Sequence, residues 1–369
     1  MTTAHRFPDA GTEPAPLPGG PPAPREGVPS TARETLEAAR HLLEPALRDR
    51  VNTLPAPLAG IASYHFGWTD AAGRPDAGPT GKALRPALVT GCAEAVGGSA
   101  PDAVAPAVAV ELVHNFSLLH DDILDGDTTR RHRATAWAVF GSPAALLTGD
   151  ALLALASRVL AEDDSPHVAT GIRWLARSTE LLIEGERADI SFEERERVTL
   201  AECLAMAERK TAELLACSCA LGALWGGAEP ERIAALRAFG RHLGTAFQLT
   251  DDLLGIWGDP AVTGKPARAD LACRKKSLPV VAAMESETPA GRRLARRYGP
   301  TTDGAAEETP GELALLARLV EEAGGREWAR RRASEELDRA LVALEAAEPE
   351  PDAGRRLSAL ARLACRRDR

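Results

Sequence analysis

Aromatic residues are scarce in this chain: its 369 residues include 7 phenylalanines, 6 tryptophans and 2 tyrosines. Strands draw on aromatic and β-branched side chains, so this scarcity, beside abundant alanine and leucine, argues against a β-sandwich or barrel. No alternation of apolar and polar residues persists, which points the same way. Lysine and arginine total 44 against 53 aspartates and glutamates, for a net charge of -9. The basic residues form no long run, so no nucleic-acid partner is expected. Cys92, Cys203, Cys217, Cys219, Cys273 and Cys365 are scattered without the CxxC pairs of a zinc site. Reduced thiols of a cytoplasmic protein are therefore expected. The N-terminus has no basic region leading into an apolar core, and no uninterrupted apolar run reaches the ~18 residues of a membrane span. Neither a signal peptide nor a span is expected.

An apolar fraction of 44% with 26% charged residues is enough to bury a sizeable core. Residues 1–30 hold eight prolines and four glycines. Such a segment buries too little surface to offset its ordering entropy, and it reads as a disordered tail. From residue 31 to 369 the pattern is helical throughout, as expected of one large all-α domain. Ser30 or Thr31 is placed to cap a helix to about Val51. Further helices are expected over Pro57–Phe66, Arg85–Val96, Val104–Leu119, Ala138–Ala161 and Val168–Glu184.

The most informative stretch is His120 to Arg131, HDDILDGDTTRR. On a helix Asp121 and Asp125 share a face, with Asp122 about 100° round from them. Carboxylates crowded at the end of an apolar segment need compensation. Mg²⁺ commonly supplies it by joining carboxylates to a substrate's phosphates. Arg130 and Arg131 suit bidentate phosphate contacts. Lys82 and Arg85, three apart in GKALRP, form a second basic pair at a helix mouth. Lys210 lies in an otherwise apolar helix and, if it points inward, needs an anionic partner. About 130 residues after the first cluster, Asp251 and Asp252 again end an apolar helix, one turn after Gln248. Two such helix ends read as facing halves of one metal site in a helical bundle.

From Gly81 to Pro279 the blocks GKALRP, HNFSLLHDDILD with its arginine pair, ERADI, KTAEL, FQLTDDLLG, GK and DL…KKSLP occur in order. In this series the chain resembles the trans-isoprenyl diphosphate synthases, or polyprenyl synthetases. The resemblance implies an all-α bundle around a central cavity, usually homodimeric. It implies condensation of isopentenyl diphosphate with an allylic diphosphate, assisted by Mg²⁺, with three ions around the bound diphosphate. Asp121, Asp122, Asp125 and Asp251 would bind the metals, with Asp252 beside them or in their outer shell. Arg130, Lys210, Thr211, Gln248 and Lys265 would meet the allylic diphosphate or its metals. Lys82, Arg85, His114 and Arg131 would hold isopentenyl diphosphate.

In the family, residues about one turn before the first acidic motif set product length. Large Phe116 followed by small Ser117 resembles synthases of farnesyl to geranylgeranyl diphosphate, with geranylgeranyl diphosphate the expected product. The chain also departs from the family pattern. Gly255 replaces the usual third aspartate of the second motif, and Glu186 a common glutamine. His132 and Ala134 replace a glycine and a proline after the arginine pair, and Arg274 a glycine before Lys275. A terpene cyclase of the same fold would not need Lys82, Arg85, His114 and Arg131 together. A non-catalytic partner subunit commonly loses the first aspartate motif, which is intact. A metal phosphohydrolase would require further histidine ligands. The tail resembles that of polyprenyl synthases carried as cargo in encapsulin shells, which makes a shell protein an expected partner and a shell interior an expected location.

Overall fold

The computed structural model describes residues 30–76, 78, 81–260, 267–298 and 309–365. Residues 1–29 of the expected tail, and Lys265, lie outside the described residues. The chain runs through α1 (Ser30–Val51), α2 (Ala56–His65), α3 (Leu84–Ala95) and α4 (Val104–Leu124). A small hairpin of β1 (Thr129–Arg130) and β2 (Arg133–Ala134) follows. Then come α5 (Ala136–Phe140), α6 (Ser142–Ala161), α7 (Val168–Glu194) and α8 (Leu200–Ala207). A π-helical turn, Glu208–Ala212, joins α8 to α9 (Glu213–Trp225), and α10 (Pro230–Trp257) completes the central set. The remainder is α11 (Ala269–Ala272), α12 (Leu278–Glu285), α13 (Pro289–Arg297), α14 (Pro310–Glu322), α15 (Gly325–Ala346) and α16 (Pro351–Cys365). The fold is all-α, as expected from the sequence.

Helix α9 is the centre of the bundle. Every one of its residues is buried, as its largely apolar ELLACSCALGALW permits, with the Glu213 carboxylate paired to Arg237. It packs against α3, α4, α7 and α10, while α4 lies along α6 and α10 along α15. Leu112, Leu119, Leu152, Leu155, Leu214 and Leu221 form part of one continuous core between α4, α6 and α9. Each such leucine contributes about 1.5–3 kcal/mol by leaving water.

Some boundaries differ from the sequence reading for local reasons. Gly141, at φ 86°, breaks the expected Ala138–Ala161 helix into α5 and α6. Helix α7 continues to Glu194 rather than stopping at Glu184, which carries Glu186 and Asp189 into the site on a rigid element. Two helical stretches, Pro101–Leu124 and Ser142–Ala161, are long and apolar enough to cross a membrane by length and composition alone. In the first, 72% of the apolar window is buried inside the protein, where α4 supplies core. In the second only 44% is buried, and Leu146 and Leu147 face outward.

Candidate active site

The first aspartate motif sits on the last turn of α4, which has no basic residue there and whose C-cap is Asp125. Negative side chains oppose the partial negative charge of a helix C-terminus, so this arrangement is costly as it stands. The motif divides by face as the helical spacing requires. Asp122, 1% exposed, accepts a 2.6 Å hydrogen bond from Arg130 Nε of the hairpin through Oδ1. Its buried Oδ2 has no protein partner. Asp121 faces the other way, towards Glu186 and Lys210. Burial first, and then the Glu186 carboxylate, push its pKa up to about 8.

Lys210 points inward, and it has the anionic partners that this position needs. Its Nζ lies 2.7 Å from both Glu186 Oε2 and Asp189 Oδ2 on α7. Burial opposes its charge, but these two carboxylates outweigh burial and hold its pKa above the ordinary lysine value. The close approach has a backbone cause. A Cβ on Gly185 would stand 2.8 Å from Lys210 Cα and closer still to its amide nitrogen. Only glycine lets α7 meet the π-turn here. Such turns recur at functional sites because they re-aim side chains within a helix. Lys275 reaches the same aspartate, with Nζ 3.7 Å from Asp189 Oδ2. Burial opposes its charge too, and Asp189, Asp270, Asp252 and Asp125 together hold it protonated. One carboxylate from each aspartate motif, Asp125 and Asp252, thus acts electrostatically on one ammonium group.

Thr211 of the π-turn donates to Gln248 Oε1 on α10 at 2.6 Å, and Gln248 Nε2 donates to Asp252 Oδ1 at 2.7 Å. Asp252 Oδ2 accepts from Leu278 N at 2.8 Å, at the start of α12. Both oxygens of Asp252 are therefore engaged in anchoring α12 and orienting Gln248. Burial, only partly offset by Lys275, raises its pKa to about 7. Asp251, half-buried, is the member of the pair turned about 100° from it along the helix. Gly255 has a positive reason for lacking a side chain: its Cβ would fall 2.6 Å from Asp270 Oδ1 and even nearer Oδ2. The Asp270 carboxylate occupies the space a third motif aspartate would need.

A second, basic cluster lies on the hairpin side. Burial, then Arg85, Arg131 and Arg130, hold His114 well below the ordinary histidine pKa, so it is neutral. Glu111, raised by burial and drawn back chiefly by Arg85, shares this cluster and accepts a 3.0 Å bond from Asn115 Nδ2. Lys82, exposed, stands just before α3, and Arg85 is in its first turn. Arg131 packs on the glycine of GKALRP, where a Gly81 Cβ would lie 3.1 Å from Nη2. Arg40 of α1 donates to Gly81 O at 3.1 Å. Arg131 and His132, at φ 52° and 61°, form the two-residue turn between β1 and β2. A turn of this kind is ordinarily built from Gly or Asn, so both residues hold a strained backbone.

Phe116 is 5% exposed, and its ring meets His120 edge-on at 4.7 Å. Ser117 is buried and donates to His114 O at 2.9 Å. His120 Nε2 in turn lies 3.0 Å from Leu146 O of α6.

Asp121, Asp122, Asp125, Arg130, Lys210, Thr211, Gln248 and Asp252 are thus linked through hydrogen bonds and charge pairs around α4, α7 and α10. Arg85, His114 and Arg131 adjoin them. Sequence reasoning assigned no role to Asp189, Glu186, Glu111, His65, Arg40 or Lys275. Acidic residues three apart in GERADI were the available signal for the first two, since a buried Lys210 demands such partners.

Among the described residues, no three acidic, histidine or cysteine side chains already converge as a closed metal cage. The donor set instead suits an ion that keeps waters and takes further oxygens from a diphosphate. The buried, unpartnered Asp122 Oδ2, and the Asp121 carboxylate that burial and Glu186 disfavour more than Lys210 and Arg130 support it, are what such an ion would satisfy.

Comparison with known proteins agrees with this geometry. Residues 68–312 match the polyprenyl synthetase family model. A (2E,6E)-farnesyl diphosphate synthase of Mycobacterium tuberculosis is 51% identical over 294 residues, covering 80% of this chain and 82% of that protein. A geranylgeranyl diphosphate synthase of the same organism is 46% identical over 334 residues, covering 90% and 93%. The crystal structure of a polyprenyl synthetase from Streptomyces coelicolor superposes with a TM-score of 0.86 at 47% identity, covering 90% of this chain and 99% of that one. The chain belongs to the polyprenyl synthetase family and is an enzyme of the trans-prenyltransferase class.

Proposed function

We propose that the enzyme joins isopentenyl diphosphate head-to-tail to an allylic diphosphate and releases pyrophosphate, with geranylgeranyl diphosphate as its product. One observation carries this reading: two aspartate motifs meet around Lys210 and Lys275, and a separate basic cluster of Arg85, His114 and Arg131 adjoins them. A reaction of two diphosphates needs two such places.

Asp121, Asp122, Asp125 and Asp251 would hold Mg²⁺, three ions with the diphosphate bound, and Asp252 acts behind Asp251 through Gln248 and Leu278. Bound there, Mg²⁺ would offset the charge that grows on the departing pyrophosphate. Arg130, Lys210 and Lys265 contact that diphosphate, with Thr211 and Gln248 orienting the rim. Lys82, Arg85, neutral His114 and Arg131 hold isopentenyl diphosphate so that its alkene lies against the allylic carbon. The C–O bond of the allylic diphosphate breaks, the new C–C bond forms, and the proton lost afterwards goes to the released pyrophosphate. Apolar α4 and α6 side chains keep water from the carbocation.

Phe116 and Ser117 set the length of the product. The enzyme is incubated with isopentenyl diphosphate and each allylic diphosphate in Mg²⁺, and the dephosphorylated products are separated. Phe116→Ala shifts the distribution to longer chains. A cyclic hydrocarbon formed without consumption of isopentenyl diphosphate would overturn the assignment.

The same reading extends to assembly. Exposed Leu146, Leu147, Ile183 and Ile190 on α6 and α7 support a homodimer. Residues 31–369 form the catalytic unit, and residues 1–30 dock to an encapsulin shell protein in the cytoplasm. Deleting residues 1–30 abolishes co-purification with such a shell while turnover persists; co-purification of the truncated chain would refute the docking role.

A further inference from the structure

Glu186 is a buried carboxylate that the proposed reaction does not use. It is 7% exposed, and its Oε1 has no hydrogen-bond partner in the protein. Lys210 Nζ lies 2.7 Å from Oε2, but off the direction of a hydrogen bond, so the contact is a charge pair only. Lys210 makes its directed bond, at 2.7 Å, to Asp189 Oδ2 instead. Glu186 is thus the second carboxylate beside a single ammonium group.

The local charges do not balance. Asp121, Asp125, Glu186 and Asp189, with Asp252 and Asp270 also acting on Lys275, outnumber the ammonium groups of Lys210 and Lys275. Arg130 is taken up by Asp122 on the opposite face of α4. The excess is negative charge of the kind a divalent cation offsets. An unpaired carboxylate oxygen in a buried site is costly, and a cation is the partner that satisfies it with charge as well as coordination. The position is also built: the bare Gly185 lets α7 press on the Lys210 backbone, which fixes Glu186 beside Asp121 on a 27-residue helix.

We infer that Glu186 is a further carboxylate of the divalent-cation site, acting with Asp121 and Asp125 from the opposite wall formed by α7. This rests on the proposed function, in which Asp121 binds metal. A chain with a neutral amide at this place has the same shape with one negative charge fewer, so Glu186 makes this site bind cations more tightly.

The test uses Mn²⁺ as an oxygen-seeking stand-in for Mg²⁺, titrated into the full chain without substrate, with free ion counted by electron paramagnetic resonance. Glu186→Gln is nearly isosteric, and it weakens Mn²⁺ binding by about tenfold or more. Binding equal to that of the native chain overturns the inference. If the amide does not fold by circular dichroism, Glu186→Asp serves in its place: weaker binding supports the inference and native binding overturns it. Asp121→Asn is run alongside. Loss of Mn²⁺ binding in Asp121→Asn with none in Glu186→Gln removes this inference alone. Native binding in both variants removes the metal-site reading as well.

Discussion

Gly185→Ala separates two opposing effects at one atom. In an ordinary helix interior the change stabilises by about 0.5–1 kcal/mol, because glycine loses more freedom on folding. Here the new methyl would lie 2.8 Å from Lys210 Cα and nearer still to its amide nitrogen. Carbon atoms rest about 3.5–4.0 Å apart, so helix α7 or the π-turn must retreat by roughly 1 Å. The opposing atoms are backbone and cannot rotate away. Overpacking of this kind costs about 1–3 kcal/mol. The steric effect wins, leaving a net loss of about 1–2 kcal/mol, or a few degrees in Tm at roughly 2–4 °C per kcal/mol. The same displacement moves Lys210 from Glu186 and Asp189. A misplacement of about 1 Å in a positioned group costs about 10²-fold in rate. The assay is steady-state kcat with a saturating allylic diphosphate, paired with a thermal melt. A variant that melts at or above the native temperature and keeps its kcat would refute the close-contact argument.

Three further outcomes follow from the geometry. His132→Gly relieves a left-handed backbone position in the hairpin turn and raises stability by up to about 1 kcal/mol; an unmoved urea midpoint would show that the turn carries no strain. His65 is pushed down to about 3 by burial, then by Arg131 and Arg130, so it stays neutral when folded. A depressed histidine pKa contributes stability above the unfolded value near 6.5, and this is lost as pH falls from there towards 3, by about 1.4 kcal/mol per pH unit for one proton. His65→Gln therefore flattens the decline of Tm between pH 6.5 and pH 4, and an unchanged slope would exclude His65 as its source. Asp189→Asn removes the carboxylate shared by Lys210 and Lys275. It lowers kcat by about 10²-fold or more and destabilises by about 1–3 kcal/mol, because two partly buried ammonium groups lose a partner while Glu186 stays beside Lys210; native kcat in the folded variant would rule out a positioning role.

The sequence alone determined the fold class and the ingredients of the site. Few aromatics, abundant alanine and leucine, and apolar residues at helical spacing require packed helices, because period and propensity are local properties of the chain. The aspartates of HDDILD and of QLTDD were legible as halves of one centre because each ends an apolar run that would not tolerate them unaided. Their division by face was equally local: a 100° step sends Asp122 to Arg130 and Asp121 towards α7.

Only the tertiary structure decided which charges meet. Asp189 became the clamp of Lys210 and Lys275 because α7 continues past Glu184 and crosses the π-turn at Gly185. Asp270 stands against Gly255, so the glycine that looked like a missing ligand makes room for a carboxylate from 15 residues later. His132 and Arg274 replace family glycines yet keep positive φ, at 61° and 53°, because the surrounding structure holds the backbone there. Such pairings join residues far apart in the chain, and no local pattern encodes them. The cluster HDDILD by itself shows carboxylates crowded at a helix end, while packing of α4, α7, α10 and the hairpin decides which charged groups stand beside them.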